Sequence, residues 1–237
     1  MHVIHHTQGF ILCSRNVREA DKVFYIYTRD FGLVMALAKA VRKLSSKLRY
    51  NLQDFYYVNL DLVRGREIWR VTHAQKCVGD RPYLLGGSVP TKHNLNLNWA
   101  QNRSVFLFLT NFFRLLRRLV PGEEPNIELF NHLVDVYKFL QEDAEARLLS
   151  TTFLSGQGDA LTNTLTIACQ TTPGVGFASF ECLAVLRLLH HLGYIALDKN
   201  MSIFVTSILD KKVLSEVTDH RASLIRQIND SLKETQL

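Results

Sequence analysis

The chain has 237 residues, 47% of them hydrophobic, and carries 28 Lys+Arg against 22 Asp+Glu for a net charge of +6. That apolar content supports a packed core and excludes a disordered chain, and no window of about 18 residues is apolar enough to cross a bilayer. The charge is uneven: residues 1–76 hold 13 Lys+Arg against 6 Asp+Glu while the remainder holds 15 against 16, so a polyanion-binding part stands beside a neutral one.

The opening MHVIHHTQGF lacks a basic region followed by an apolar run, so no secretory leader is expected. Residues 2–14 read as a first strand, apolar at Val3, Ile4, Phe10, Ile11 and Leu12, with a bulge or bend at Gly9. His2, His5 and His6 cluster there. Neighbouring strand residues point to opposite faces, so these imidazoles do not converge on a metal. A metal-dependent enzyme built on them would hold stoichiometric metal, and none is expected.

Residues 23–29 (VFYIYTR) alternate, with Phe24 and Ile26 on one face and Tyr25, Tyr27 and Arg29 on the other. The second face either stacks bases and meets phosphate or is an ordinary amphipathic surface, and alternation leaves both open. Asp30-Phe31-Gly32 forms a tight turn into LVMALAKA, apolar on both faces like a central barrel strand. VRKLSSKLRY at 41–50 is a basic loop. From Arg15 to Arg49 the cations Arg15, Arg18, Lys22, Arg29, Lys39, Arg42, Lys43, Lys47 and Arg49 are opposed by Glu19, Asp21 and Asp30 alone. Cations on a β-scaffold with interleaved Tyr25, Tyr27 and Tyr50 point to nucleic acid, through counterion release and base stacking.

FYYVNLDLVR at 55–64 places Tyr56, Val58, Leu60 and Leu62 inward and Asn59 and Asp61 outward. EIWRVTHA at 67–74 places Trp69 and Val71 on one face and Arg70 on the other. Five antiparallel strands in about 75 residues predict a small barrel of the OB type over residues 1–78. Pro82, Gly86, Gly87 and Pro90 mark residues 79–98 as a linker.

Residues 99–237 are expected to form an all-α domain, giving an α+β chain of two domains. Residues 99–120, capped by Asn98 and ended by Pro121-Gly122, are apolar nearly all round and predict a buried central helix. Its Arg103, Thr110, Asn111, Arg114, Arg117 and Arg118 gather on one side. A second helix is predicted over roughly 125–143 and a short one over 144–154. GQGD and PGVG mark 155–176 as less regular, with LTNTLTIACQ a possible helix. Residues 177–192 form a clear helix closed by Gly193, 194–209 favour β in places, and 218–234 are a last amphipathic helix.

Cys13, Cys77, Cys169 and Cys182 form no CxxC pair, so neither a disulfide framework nor a structural zinc site is expected, only buried reduced thiols. There is no GxxxxGK[ST], GxSxG, HExxH or EF-hand loop. His190-His191 read as a helix cap and a surface residue, and Glu181, Asp198 and Asp210 form no pair. The chain is therefore expected not to be an enzyme.

The order and spacing of RNVREADK, YTRDFG, LVMALAKAVRK, LQDF and LDLVRGREIWRVTHA resemble the RecO family of bacterial recombination mediators. NRSVFLFLTNFFRLL, EEPNIELFNHL, FECLAVLRLLHHLGY and INDSLKETQL extend the resemblance over nearly the whole chain. It implies an N-terminal OB fold and a C-terminal helical domain. The implied protein is non-catalytic. It binds single- and double-stranded DNA, anneals complementary strands and assists RecA loading on SSB-coated DNA with RecR and sometimes RecF.

It also implies a cytoplasmic, nucleoid-associated bacterial protein and adds Arg64 to the DNA-binding candidates. Arg103, Arg114, Arg117 and Arg118 become candidates for the acidic SSB C-terminal tail, or else arginines lying over a buried helix. Many members carry a four-cysteine zinc site just after the LGY segment. Here IALDKNMSIFVTS has no cysteine, so no zinc and no other cofactor is expected. The alternative is an OB-fold adaptor that binds nucleic acid and recruits a protein partner without annealing.

Overall fold

The computed structural model describes residues 3–77, 103–154, 175–196, 202–207, 209 and 211–234. His2, Asn98, the expected linker at 79–98 and the GQGD and LTNTLTIACQ segments lie outside them. Five strands come first: β1 (Ile4–Asn16), β2 (Lys22–Thr28), β3 (Gly32–Ala38), β4 (Tyr57–Val63) and β5 (Trp69–Lys76). They close into a barrel in the order β1-β2-β3-β5-β4, with β4 returning to β1. Every pairing is antiparallel except the short β3–β5 contact, where Ala36 faces Trp69 and Leu37 faces Arg70. This is the five-stranded OB fold that the alternation predicts.

One set of alternating residues fills the barrel. Ile11, Phe24, Ile26, Val34, Ala36, Val58, Leu60, Leu62, Trp69 and Val71 form a continuous buried cluster. β3 is not apolar on two equally buried faces: Val34, Ala36 and Ala38 are buried and Leu33, Met35 and Leu37 only half-buried. The β1 bulge falls at Leu12, between Ile11 and Cys13, rather than at Gly9. Gly9 instead pairs with Thr28 on one side and Val58 on the other.

Two compact units are present. The first joins the described residues of Met1–Asn98 with Phe113–Phe130, and the second joins those of Trp99–Phe112 with Asn131–Leu237. In the first unit, Phe130 lies over the outer face of the barrel, with ring centroids 5.4 Å from Phe10, 6.2 Å from Tyr57 and 6.5 Å from Tyr27. Phe113 meets Phe55 at 5.9 Å. Leu33 N–H donates to the Gly122 carbonyl at 2.9 Å, and Trp69 Nε1–H donates to Glu123 Oε1 at 2.9 Å. Outward-facing aromatics on β1, β2 and β4 are thereby removed from water.

The helices are α1 (Arg103–Leu119), α2 (Ile127–Leu154), α3 (Val175–His191), α4 (Ile203–Thr206) and α5 (Lys211–Glu234). α1 is amphipathic rather than a buried central helix. Val105, Phe108, Leu109, Phe112, Phe113 and Leu116 are buried, whereas Phe106 and Leu107 are exposed with Arg103 and Asn111. The central helix of the second unit is α3, whose Phe180, Leu183, Ala184, Leu186, Leu188 and Leu189 are fully buried.

α2 is one helix where two were expected, because QEDAEARLL is, apart from Asp143, made of good helix formers despite its polarity. Its N-cap is Asn126, whose Oδ1 accepts from Leu129 N–H at 2.9 Å. α3 ends as predicted: Gly193 takes φ +78° and Tyr194 N–H reaches the Leu189 carbonyl at 2.9 Å. α5 starts seven residues before the predicted position. The β-favouring 194–209 stretch instead contains α4, held by Arg187. That buried guanidinium donates to the Phe204 carbonyl and the Ser207 carbonyl, each at 2.8 Å.

Candidate nucleic-acid interface

The β1–β2 loop and the loop after β3 are tied together at one end of the barrel. Arg42 N–H donates to the Ala20 carbonyl at 3.0 Å and Arg42 Nη1 to the Glu19 carbonyl at 2.8 Å. Ala40, with φ +53°, donates its N–H to Asp21 Oδ1 at 2.7 Å. A non-glycine residue in this region is strained, so the Asp21 bond helps to hold the corner. The strand register then brings Arg15, Lys22 and Lys39 to the same end, since Lys22 pairs with both Asn16 and Ala38.

Arg15, Arg18, Lys39, Arg42 and Lys43 are exposed and Lys22 is half-buried. A 3₁₀ turn, Lys47–Tyr50, extends this surface with Lys47 and Arg49. It is anchored beneath by Leu48 and Leu52, which pack on the barrel core, and by Asn51 Nδ2, which donates to the Ala74 carbonyl at 2.8 Å. Among the described residues, no ion pair holds Arg15, Lys22, Lys39, Lys43, Lys47 or Arg49, and Arg18 meets Asp21 only at 3.9 Å. The guanidinium and ammonium groups thus stand in water, able to exchange counterions for phosphates. Tyr50, 63% exposed, and Leu44, 81% exposed, are the ring and apolar side chain interleaved with them.

Not every sequence candidate joins this surface. Tyr27 is fully buried: its ring lies near Phe130 and its hydroxyl donates to the Asn126 carbonyl at 3.3 Å. Burial pushes that phenol up to about 12, and it offers no face for stacking a base. The expectation for Tyr27 is therefore corrected. Alternation placed it outside the barrel correctly but could not show what covers that outside. Tyr25 is half-buried, with the Arg117 guanidinium 5.2 Å from its ring centroid. Arg117 also donates to Cys13 Sγ at 2.9 Å, so it packs on the barrel and does not project toward a partner.

Arg29 is exposed at the far end of β2, about 20 Å along the strand from Lys22. Arg64 reaches Glu123 at 3.4 Å and lies 5.4 Å from the Trp69 ring centroid. Arg103, Arg114 and Arg118 are exposed on α1.

Arg66 and Arg70 belong to the basic surface and were not foreseen. With Arg18, Leu37, Lys39, Gly65, Glu67 and Ile68 they line a cavity of about 270 Å³ between the β1–β2 and β4–β5 loops. The signal was in the sequence: Arg64-Gly65-Arg66 is a cationic hairpin tip, and Arg70 alternates outward beside Trp69. In OB folds these two loops and the β2–β3 face hold oligonucleotides or oligosaccharides. Within the described residues no group of three His, Cys, Asp or Glu is placed to hold a metal, and no helix is long and apolar enough to cross a membrane. His6 instead pairs with Asp61 at 2.6 Å, and His5 sits edge-on to Phe31 and Trp69.

Comparison with known proteins places this arrangement. The family model described as "Recombination protein O N terminal" matches residues 1–77. A protein named DNA repair protein RecO from Rubrobacter xylanophilus is 30% identical over 129 residues, covering 51% of this chain and 50% of its own length. Two others of the same name, both from Dehalococcoides mccartyi, are 36% identical over 142 residues and 29% over 147, covering 60% and 62% of this chain. The chain spans about half the length of the curated relatives it matches. The domain match covers the barrel and the similarity to proteins named RecO reaches into the helices, so over this part of its length the chain resembles the RecO family.

Proposed function

We propose that this protein is a non-catalytic DNA-binding mediator of recombinational repair. It binds single- and double-stranded DNA and anneals complementary strands. With RecR it assists RecA loading on SSB-coated DNA. The observation that carries this reading is the set Arg15, Arg18, Lys22, Lys39, Arg42, Lys43, Lys47 and Arg49, gathered at one end of an OB barrel, in which, among the described residues, Arg18 alone meets a carboxylate, Asp21 at 3.9 Å. Annealing requires no acid or base. It requires two like-charged strands held together with their bases left free to pair, which a neutralising surface provides.

The finer assignments follow from the same chemistry. Phosphates meet Arg15, Arg18, Lys22, Lys39, Arg42, Lys43, Lys47 and Arg49, while Tyr50 stacks bases. The acidic, apolar SSB tail suits α1 where Arg103 stands near the exposed Phe106 and Leu107. RecF is a further candidate partner, no zinc or other cofactor is required, and a cytoplasmic, nucleoid-associated location fits the role.

The test is strand annealing and fluorescence anisotropy on a labelled oligonucleotide, with Arg42, Lys43 and Lys47 changed together to Glu. The substitution is expected to abolish annealing and weaken binding at least tenfold, since each lost phosphate contact also returns a counterion. Unchanged binding by the variant would reject this surface as the DNA site, and no binding by the wild-type chain would reject the DNA-binding reading. Normal binding by the wild-type chain with no annealing would favour an OB-fold adaptor.

A further inference from the structure

The zinc site that the family resemblance implies for the segment after α3 does not fit this chain. Such a site needs four thiolates converging there, and the sequence has four cysteines in all. Cys13 lies on β1, Cys77 follows β5 and Cys182 is buried within α3, so the set cannot assemble. Histidine does not supply it either. His132 and His190 each commit a ring nitrogen to a carbonyl, those of Ala184 and Ile195, and among the described residues no three His, Cys, Asp or Glu are placed to hold a metal.

A guanidinium stands there instead. Arg187 is buried on α3; its Nε donates to the Phe204 carbonyl at 2.8 Å, and its Nη2 to the Ser207 carbonyl at 2.8 Å and to Ser207 Oγ at 3.3 Å. α4, the helix so held, has 4 residues, too few to persist by itself. Phe204 anchors it from the other side, buried with its ring centroid 6.0 Å from that of His220 on α5. Burial disfavours the charge on Arg187, and Asp135 of α2 supports it.

We propose that Arg187 takes the place of a structural metal in this chain: its guanidinium gathers the 202–207 segment onto the helical unit, which folds without a metal ion. The inference goes beyond the DNA-mediator reading and does not depend on it. Zinc draws in anionic thiolates, whereas a guanidinium draws in neutral carbonyl and hydroxyl oxygens with donors fixed in one plane. Its charge also repels a divalent cation. A unit built this way is indifferent to chelators and thiol oxidants, both of which dismantle a four-cysteine centre. Lysine keeps the charge but offers its donors from a single nitrogen, so it does not span the Phe204 and Ser207 carbonyls together.

The experiment measures metal in the purified full chain by plasma emission spectrometry, and melting by circular dichroism with and without EDTA. No stoichiometric zinc and an unchanged melting temperature are expected. Amide hydrogen exchange then compares wild type with Arg187→Lys at Val205, Thr206 and Ser207, whose N–H groups donate to the Ser202 and Ile203 carbonyls. Exchange there is expected to quicken about tenfold or more, while in β1–β5 it changes less than about twofold. Asp135→Asn leaves Arg187 and α4 in place but removes the supporting charge. It is expected to move the same amides in the same direction by a smaller factor, and it decides alone if the lysine variant does not fold. Stoichiometric zinc, or melting lowered by EDTA, overturns the proposal. So does unchanged exchange at 205–207, or an equal quickening throughout α2, α3 and α5, which would mark a general loss of stability rather than release of one segment.

Discussion

Tyr27 and His132 show how burial decides what a polar side chain does. Tyr27 is covered by Phe130, and the hydrogen bond from its hydroxyl to the Asn126 carbonyl is long at 3.3 Å. Tyr27→Phe should therefore lower stability by about 0.5–1.5 kcal/mol in urea denaturation and leave oligonucleotide affinity unchanged. A loss of affinity would mean that the ring is reached by bases after all. His132, in the second unit, is buried with Nε2–H donating to the Ala184 carbonyl at 3.0 Å. Burial, then the neighbouring His191 and Arg187, push its imidazole down to about 3, against the hydrogen bond that favours the charged form.

The unfolded chain, with an ordinary His132, takes up a proton below about pH 6.5 that the folded chain refuses until about pH 3. Stability from this group is complete above pH 6.5 and falls as pH drops, by up to about 1.4 kcal/mol per pH unit. Denaturation midpoints at pH 7.5 and 5 should differ more for wild type than for His132→Gln, which retains an amide donor toward Ala184. Parallel pH dependence in the two proteins would show that His132 does not carry the effect.

At the level of elements, what could be read from the sequence depended on whether a local pattern or a distant contact decided the outcome. β2, β4 and β5 were legible because Phe24 and Ile26, Val58, Leu60 and Leu62, and Trp69 and Val71 alternate with polar or aromatic neighbours. The C-terminus of α3 was legible because Gly193 alone there accepts a positive φ cheaply. α4 was not: its β-branched residues favour strand, and the Arg187 guanidinium that gathers its carbonyls comes from another helix. Nor was the cover over the barrel, because nothing in the alternation of β1 or β2 announces Phe130.

That cover makes the barrel dependent on residues after 112. A fragment of residues 1–77 would expose Phe10, Phe55, Tyr27 and Tyr57 together, a patch of the kind that drives association. Size-exclusion chromatography and dye binding should show an aggregating fragment with no cooperative unfolding. A monomeric, cooperatively melting fragment would mean that the cover contributes little.

Across the whole molecule the proposed DNA binding would draw its strength from the charge imbalance more than from any single residue. Residues 1–76 carry the excess of cations, and the fold concentrates Arg15, Arg18, Lys22, Lys39, Arg42, Lys43, Lys47 and Arg49 at one end of the barrel while sending Arg29 to the other. Cations scattered over a surface wider than about 10 Å act nearly independently at ordinary ionic strength, whereas a cluster attracts a strand as a unit. Each phosphate neutralised on single-stranded DNA contributes about −0.7 to the slope of log affinity against log salt. If all eight cations contact phosphates, the slope is about −5 to −6. Removing Arg42, Lys43 and Lys47 should then reduce its magnitude by about 2, whereas Arg29→Ala, at the far end of β2, should leave it unchanged. Measuring affinity between about 50 and 200 mM salt checks both outcomes at once. An Arg29 effect as large as that of each loop cation would place the strand along the length of β2 rather than across the end of the barrel.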